Sequence, residues 1–312
     1  MRLQDLGETG LIDRIRARFQ TSSVSVPVGI GDDAAILDLP AGYSLVYCSD
    51  LVTENTHFIR GMHPPDSVGY KAVAVNVSDV GAMGGVPVAF VISLAAPGDL
   101  EVAWVDDFYS GVERACNEFG IALVGGDTSS AASIFVDVSM IGRVRTGGAV
   151  LRSGAQTGDG IYVTGSLGAS TLGLEELRAG KTGGHAIQRH LYPEPRHRVG
   201  AAVCGLAHAM IDISDGLSTD LMHVVKSSGV SAKIFKEKLP ASEGATSAHV
   251  LNGGEEYELI IVAPKLPDQV EGVAITRIGE IIPSAGDPQV LLVDGSTESV
   301  LTPKGWDHYG EF

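Results

Sequence analysis

The apolar positions follow two periods along the chain, and each period predicts one kind of element. Apolar residues three and four apart, with Leu11, Ile15 and Phe19 on one face after a capping Thr9, predict an amphipathic helix. The helical period also predicts helices at residues 66–83, 101–119, 169–178, 196–209 and 217–228. Short apolar runs bounded by Gly, Pro and Asp predict strands at residues 34–39, 44–49, 88–95, 121–124, 134–144, 159–164, 210–213, 230–235, 257–262 and 275–281.

The order of these elements bounds the fold class. Helices and strands mix without a strict β-α-β alternation, which favours two α+β domains. Small residues interrupt the apolar pattern from Gly147-Gly148 to Ser153-Gly154. We therefore expect a first domain of residues 1–150 and a second of residues 151–312.

Composition and charge exclude several partners. The formal net charge of −16 and the pI near 4.9 disfavour binding to nucleic acid or to anionic membranes, which need basic surface. The three cysteines lack metal-ligand spacing, and no apolar run is long enough to span a membrane. We therefore expect a soluble cytoplasmic protein.

Two familiar nucleotide motifs are only partly matched. Gly29-x-Gly31-x-x-Ala34 has the dinucleotide spacing, but two carboxylates fill its variable positions and a strand-like run follows where a helix is needed. Gly180-Lys181-Thr182 resembles the end of a P-loop, but Glu175 stands where its first glycine belongs. Neither motif therefore predicts a nucleotide site.

Aspartates recur at the ends of apolar runs, and this repetition is the main chemical signal. Each aspartate alone is typical of a solvated acidic turn, and Asp215 alone is equally typical of a helix N-cap. Five such sites along one chain, however, predict a cluster for hard cations assembled by folding, with oxygen ligands suited to Mg²⁺. An acidic protein can bind a polyphosphate only through intervening cations, so we expect several Mg²⁺ ions with ATP. The sites are at Asp32-Asp33, Asp50, Asp79, Asp127 and Asp212 with Asp215.

Seven short motifs occur in one order along nearly the whole chain, at residues 29–35, 76–79, 82–84, 125–128, 152–155, 211–217 and 253–255. Together they resemble the thiamine-monophosphate kinase family, whose superfamily includes aminoimidazole ribonucleotide synthetase and selenophosphate synthetase. The resemblance implies ATP-dependent phosphorylation of thiamine phosphate to thiamine diphosphate. It also implies a homodimer in which an N-terminal α/β domain forms a barrel with its partner, and a C-terminal α/β domain of the aminoimidazole ribonucleotide synthetase type. Strands 88–95 and 134–144 are apolar enough to favour the same assembly.

The resemblance implies three groups of site residues. The implied magnesium ligands are Asp33, Cys48, Ser49, Asp50, Asp79, Asp127, Asp212 and Asp215. The implied ATP contacts are Tyr109, Gly126, Asp127, Arg152 and Ser214. The implied thiamine-phosphate contacts are His57, Glu255 and Trp306. Cys48 stands where a hydroxyl residue is common, and Glu256 after Glu255 leaves open which carboxylate faces the substrate. We expect Trp306 to lie apart from the magnesium carboxylates.

The chemistry of the acceptor predicts a mechanism without a catalytic side chain. A phosphate acceptor has a second pKa of ~6, so it is largely ionised at neutral pH and needs no strong base. Positioning and Mg²⁺ electrostatics then suffice for direct in-line transfer. Residues 1–31 contain neither Cys nor Lys, which argues against a selenophosphate synthetase. An aminoimidazole ribonucleotide synthetase-like ligase and a non-catalytic nucleotide-binding regulator remain as alternatives.

Overall fold

The chain folds into two compact units, seen in a computed structural model that describes residues 1–19, 26, 30 and 37–306. The first unit consists of Met1–Val80 and Val86–Gly147. The second unit consists of Gly81–Gly85 and the chain from Gly148 onwards. Each unit contains one mixed sheet, in which one pair of strands is parallel and the others are antiparallel, with helices packed against it. None of the helices in the described residues is both long enough and apolar enough to cross a bilayer.

The first unit is built on a four-stranded sheet. Its elements are α1 (Leu3–Arg18), β1 (Tyr43–Thr53), α2 (Pro65–Ala82), β2 (Val86–Ala96), α3 (Val102–Phe119), β3 (Ala122–Ser130) and β4 (Phe135–Arg145). The strand order is β1-β4-β2-β3, with β2 and β3 parallel and the other pairs antiparallel. The sheet is open in the described residues, so β1 and β3 are edge strands.

Helices α2 and α3 cross with their backbones in direct contact, because glycine occupies the crossing point on each helix. A Cβ atom on Gly69 would overlap the carbonyl oxygen of Phe108, and one on Gly111 would overlap that of Asp66. Most of α2 is buried, including Asn76 and Ser78. α3 ends at Gly120, whose left-handed conformation has a φ of 69° and lets its amide donate to the Cys116 carbonyl.

The second unit is built on an eight-stranded sheet. Its elements are β5 (Gly160–Thr164), α4 (Ala169–Arg178), α5 (His185–Leu191), α6 (His197–Val203), β6 (Ala209–Asp212), α7 (Leu217–Ser228), β7 (Ser231–Phe235), a 3₁₀ turn (Lys236–Lys238), α8 (Ser247–Asn252), β8 (Leu259–Ala263), β9 (Gln269–Val270), β10 (Val273–Ile282), β11 (Val290–Asp294) and β12 (Thr297–Val300). The strand order is β12-β11-β7-β10-β5-β8-β6, and β9 pairs with β10. Strands β5, β6 and β8 are buried along their whole length, as their apolar sequences predict.

Most of the predicted elements are confirmed, and the errors lie at their ends. The first helix begins at Leu3 rather than at Thr9, and it is interrupted at Gly7, where φ is 74°. The helix predicted at 196–209 ends at Val203. The strand predicted at 121–124 continues to Ser130, because the glycine-rich stretch pairs with β2. Half of the strand predicted at 34–39 lies outside the described residues, and residues 37–39 form neither helix nor strand.

Six short elements were not predicted: α5, the 3₁₀ turn, α8, β9, β11 and β12. Each of them is between two and seven residues long, which is too short for a helical or alternating period to stand out. The fold class is confirmed as mixed α and β. A barrel, however, is not seen in the single chain, since neither sheet closes on itself among the described residues.

Candidate active site

Two carboxylates of the first unit, Asp50 and Asp79, lie close together. Asp50 on β1 and Asp79 on α2 share a hydrogen bond, and Asp137 on β4 is near enough to act on Asp50 electrostatically. Burial raises the pKa of the Asp50 carboxyl, the hydrogen bond with Asp79 opposes this shift, and the charge of Asp137 adds to it. A hydrogen bond between two carboxyl groups requires a proton on one of them. A hard cation could replace that proton, so this oxygen donor set fits Mg²⁺.

Ser49 and Cys48 point away from each other, because side chains alternate along a strand. Ser49 Oγ lies 2.8 Å from Asp137 Oδ1 and 3.2 Å from Ser139 Oγ. Cys48 Sγ lies 3.5 Å from Asn76 Oδ1 and 3.6 Å from the Asn76 carbonyl oxygen, on the face that carries Asp50. The Ser49 hydroxyl therefore does not join the Asp50–Asp79 pair.

Asp127 belongs to the face of the sheet that carries Ser49. In the register, Asp127 on β3 and Asp137 on β4 both pair with Ser93 of β2, so the three side chains form a row across the sheet. Asp127 is exposed, and its Oδ1 accepts a hydrogen bond of 2.9 Å from the Thr128 amide. Asp33, the remaining predicted magnesium ligand of this half, lies outside the described residues.

A small cavity of about 70 Å³ adjoins Asp127. Its lining includes Ile12, Ile92, Leu123, Tyr109, Gly126 and Thr128. A Cβ on Gly126 would overlap the Ile92 carbonyl oxygen, so only glycine allows β2 and β3 to approach this closely. Within the described residues, the buried Thr128 Oγ1 has no hydrogen-bond partner. The cavity thus brings the predicted ATP contacts Tyr109 and Gly126 together with an apolar wall.

His57 lies just beyond the end of β1, in a turn fixed by its own ring. The Thr53 amide donates to His57 Nδ1 over 3.1 Å. Because Nδ1 accepts this bond, the neutral ring carries its hydrogen on Nε2. The ring is half-buried, and its tautomer is set by the main chain.

In the second unit, β6 delivers Asp212 into a tight turn that precedes α7. The amides of Asp215 and Gly216 donate to Asp220 Oδ2 over 3.1 and 3.0 Å. Burial raises the pKa of the Asp220 carboxyl to about 8, with the charges of Asp215 and Asp212 adding to the shift. Potential ligand atoms of Asp215, Asp220 and His223 lie within 4.8 Å of one another, an acidic set that suits a cation.

Asp220 was not predicted from the sequence as a site residue. Its only signal was an aspartate in the first turn of a predicted helix, which is ordinary at a helix N-terminus. The structure shows that the side chain is buried and that it folds back to fasten the turn at Asp215. The buried Asp220 side chain therefore holds in place the turn that carries the predicted ligand Asp215.

Two other segments are hydrogen-bonded to this turn. The Glu255 amide donates to the Ser214 carbonyl over 2.7 Å, and the Trp306 amide donates to the Asp215 carbonyl over 3.0 Å. The Trp306 side chain is 41% exposed, so its indole is accessible. The bond joins main-chain groups and not the Asp215 carboxylate, so the expectation that the Trp306 indole lies apart from the magnesium carboxylates stays a prediction. The second unit thus brings Ser214, Asp215, Glu255 and Trp306 together.

The adjacent glutamates point in different directions. Glu256 is 2% exposed, and its Oε1 accepts a hydrogen bond of 3.0 Å from the Ser170 amide at the start of α4. The side chain of Glu255 is 26% exposed and lies 3.4 Å from His190. Only Glu255 therefore presents a carboxylate at an accessible surface.

Arg152 lies on a loop fastened to the end of α7. Ser228 Oγ accepts hydrogen bonds of 3.2 Å from the amides of Gly154 and Ala155, two and three residues after Arg152. The charge of Arg152 also contributes to lowering the pKa of His223, although burial is the larger cause. Arg152 is therefore close to the surface of α7 that carries His223.

Comparison with known proteins gives this arrangement its family. Residues 31–144 match the AIR synthase related protein N-terminal domain, and residues 156–287 match the C-terminal domain of the same family. Thiamine-monophosphate kinase of Aquifex aeolicus is 38% identical over 99% of this chain and 100% of its own length. The chain belongs to the thiamine-monophosphate kinase family. The thiamine-monophosphate kinase of Escherichia coli K12 is also 38% identical, over 97% of this chain and 98% of its own.

Solved structures agree with membership of the thiamine-monophosphate kinase family. AaThiL complexed with AMPPCP and TMP superposes with a TM-score of 0.78, at 37% identity over 99% of both chains. The Stenotrophomonas maltophilia thiamine-monophosphate kinase has a TM-score of 0.79 at 33% identity, over 90% of this chain and 95% of its own. The hydrogenase maturation protein HypE, at 21% identity, shares the fold. Full-length similarity to kinases makes the chain an enzyme, so the regulator alternative is set aside.

Proposed function

We propose that the protein transfers the γ-phosphoryl group of ATP to thiamine phosphate and releases thiamine diphosphate and ADP. The observation that carries the proposal is the likeness to AaThiL, which is complexed with AMPPCP and TMP and matches 99% of this chain. The convergence of Ser214, Asp215, Glu255 and Trp306 on one turn supports it, because nucleotide and acceptor groups must meet for transfer.

We propose that two sets of aspartates, one in each unit, provide the magnesium ligands of this reaction. Asp50 and Asp79 would hold Mg²⁺ in the first unit, and Asp215, with Asp212 nearby, would do so in the second. Asp33 and Asp127 complete the proposed set. Bound Mg²⁺ supplies positive charge that neutralises the phosphates and orients them for in-line displacement. Asp220 keeps the turn at Asp215 in place.

The acceptor would be bound by a carboxylate and an aromatic face. Thiamine carries a permanent positive charge on its thiazolium ring, which a carboxylate and an indole both attract. Glu255 and Trp306 are accessible and are bonded to consecutive residues, Ser214 and Asp215. His57 is proposed as a further acceptor contact. The acceptor phosphate is largely ionised at neutral pH, so no side chain is needed as a base.

The protein is proposed to work as a homodimer in the cytoplasm. The outer face of the edge strand β1 exposes Leu45, Tyr47 and Leu51, at 51%, 65% and 52% exposure. In the register, Thr53 at the end of that row pairs with Phe135 of β4, which is 41% exposed. Such an apolar edge and face suit a second copy, and joining two open sheets would form the barrel. None of the three cysteines forms a disulfide in the described part of the chain, which suits a reducing compartment.

A coupled assay for ADP release tests the proposed function. Purified protein with ATP and MgCl₂ is given thiamine phosphate, or separately formylglycinamidine ribonucleotide, the substrate of the synthetase alternative. We expect ADP only with thiamine phosphate, matched by an equal amount of thiamine diphosphate, and none with EDTA. ADP formed with the ribonucleotide alone would support the synthetase instead.

A further inference from the structure

His190 is the buried neighbour of the Glu255 carboxylate. It lies near the end of α5, is 2% exposed, and has its Nδ1 atom 3.4 Å from Glu255 Oε2. The same nitrogen lies 3.1 Å from Ser170 Oγ, on the first turn of α4. A carboxylate can only accept hydrogen bonds, so Nδ1 can bind Glu255 only in the form of the ring that carries a hydrogen on this atom.

The backbone around Glu255 is held in an uncommon conformation. Glu255 and Tyr257 have φ values of 58° and 55°, in the left-handed region that side chains other than glycine rarely adopt. Their amides are fixed by the carbonyl oxygens of Ser214 and Ile213, at 2.7 and 2.9 Å. Strain of this kind persists where the surroundings over-determine a functional position. It fixes the Cα of Glu255 but leaves the side-chain torsions to be set by contacts.

We propose that His190, supported by Ser170, is a positioning residue that sets the orientation of the Glu255 carboxylate toward the cationic ring of the acceptor. The inference rests on the proposed function and names one determinant of its acceptor site. A carboxylate whose torsions are already fixed loses less conformational entropy when the cation binds. His190 does not touch the substrate, because the imidazole is buried behind Glu255.

A purely structural histidine would behave differently in two respects. If His190 only filled space in the core, its loss would lower stability and change the kinetic constants for both substrates alike. If it positions Glu255, the effect falls on the acceptor and depends on a donor at the Nδ1 position. Asparagine places its amide nitrogen near that position, whereas glutamine places it near Nε2. The two amides therefore separate position from polarity.

The experiment measures steady-state kinetics of wild type, H190A, H190N and H190Q, with ATP and thiamine phosphate varied separately. We expect H190A to raise the KM for thiamine phosphate about tenfold, since hydrogen bonds to charged groups contribute at that level. The KM for ATP should stay within about twofold. H190N should recover most of the loss and H190Q less. The control H208N removes another imidazole whose Nδ1 faces a carboxylate, 2.9 Å from Asp159, and should change neither KM.

A double-mutant cycle with E255Q separates the possible outcomes. Once the carboxylate is gone, H190A should add less than about twofold to the KM for thiamine phosphate, because the two residues act as a unit. Additive effects, equal changes in both KM values, or H190Q at least as good as H190N would overturn the inference. If H190A does not fold, the order of H190N and H190Q decides. A wild type that makes no ADP with thiamine phosphate overturns the proposed function, and this inference with it.

Discussion

Glu255 and Glu256 show how strongly one peptide step changes the chemistry of a side chain. Glu255 reaches an accessible surface, whereas Glu256 turns inward to the start of α4. Within the described residues, Glu256 Oε2 is buried without a hydrogen-bond partner. Burial raises the pKa of Glu256 to about 7, so it behaves as a structural acid rather than as a substrate contact.

This pKa predicts a pH-dependent contribution to stability. An unfolded glutamate titrates near pH ~4.3, so between about pH 4.3 and 7 the folded state holds a proton that the unfolded state has lost. The contribution of Glu256 is therefore complete below pH ~4.3 and is lost as the pH rises through 7. We expect E256Q, which never ionises, to remove about 2 kcal/mol of the decline between pH 5.5 and pH 8. Urea unfolding at pH 5.5 and pH 8 measures it.

The exposed Glu243 provides the control for this measurement. E243Q should leave the pH dependence of the unfolding free energy as in wild type. An E256Q protein that loses as much stability between the two pH values as wild type would contradict the assignment.

The crossing of α2 and α3 carries the carboxylate cluster of the first unit. α2 presents Asp79 to β1, and α3 presents Tyr109 to the cavity beside β3. Their separation depends on Gly69 and Gly111, each of which faces a carbonyl oxygen of the other helix. The contact between the main chains of α2 and α3 therefore fixes the positions of Asp79 and Tyr109 relative to each other.

Substitution of Gly111 tests this dependence. Alanine favours a helix over glycine by about 1 kcal/mol, but its methyl group would overlap the Asp66 carbonyl oxygen. The positions of the Cβ atom and of the carbonyl oxygen are both fixed by the main chain, so neither atom can rotate out of the overlap. We therefore expect G111A to lose about 1–3 kcal/mol of unfolding free energy. G183A, which lies outside the helices and where a Cβ meets nothing within 4 Å, is the control for adding a methyl group. Equal stability of the two variants in urea would show that the helices can separate without cost.

Mg²⁺ should stabilise the first unit through Asp50. D50N relieves the burial of like charges, so without metal it should be at least as stable as wild type. At 100 times the dissociation constant, Mg²⁺ should add about 3 kcal/mol to wild type and clearly less to D50N. Thermal melts with EDTA and with MgCl₂ measure the difference, with the exposed D287N as control. The same gain in D50N and wild type would remove Asp50 from the ligand set.

Long elements with strong periods were predictable, whereas the site was predictable only as a set of residues. The helices at α3 and α7 have polar starts, apolar stripes and a closing glycine, so the sequence indicates both ends. The motifs also indicated Asp50 and Asp212. Their surroundings could not be predicted, because the contacts of Asp220 and His190 join side chains to residues from other elements. Such contacts do not produce a periodic pattern of apolar residues in the sequence.

On the scale of the whole molecule, the open sheet of the first unit makes association the central expectation. An eleven-residue edge strand with three large exposed apolar side chains is a ready surface for pairing. The alternation that buries Asp50 on one face places Tyr47 and Leu51 on the other. The proposed assembly thus follows from the same strand that carries the proposed metal ligand.

Charge placed on that face should separate the copies. We expect wild type to have twice the chain mass of 32.5 kDa in solution, and L51K to have the mass of one chain. L206K, which changes a leucine that is likewise 52% exposed but lies in the second unit, should remain a dimer. Light scattering at micromolar concentration gives the masses. A fully active wild type with the mass of a single chain would contradict the assembly.

The carbonyl oxygens of Ser214 and Asp215 accept hydrogen bonds from the amides of Glu255 and Trp306, respectively. These direct main-chain bonds have a thermodynamic consequence. Whatever ligand stiffens the turn before α7 also stiffens the two segments proposed to receive the acceptor. The second ligand then meets a partly ordered partner and loses less entropy on binding. We expect heterotropic cooperativity that is reciprocal: thiamine phosphate should tighten the binding of Mg²⁺ and AMPPCP by the factor with which they tighten its own. Calorimetric titrations in both orders measure the two factors.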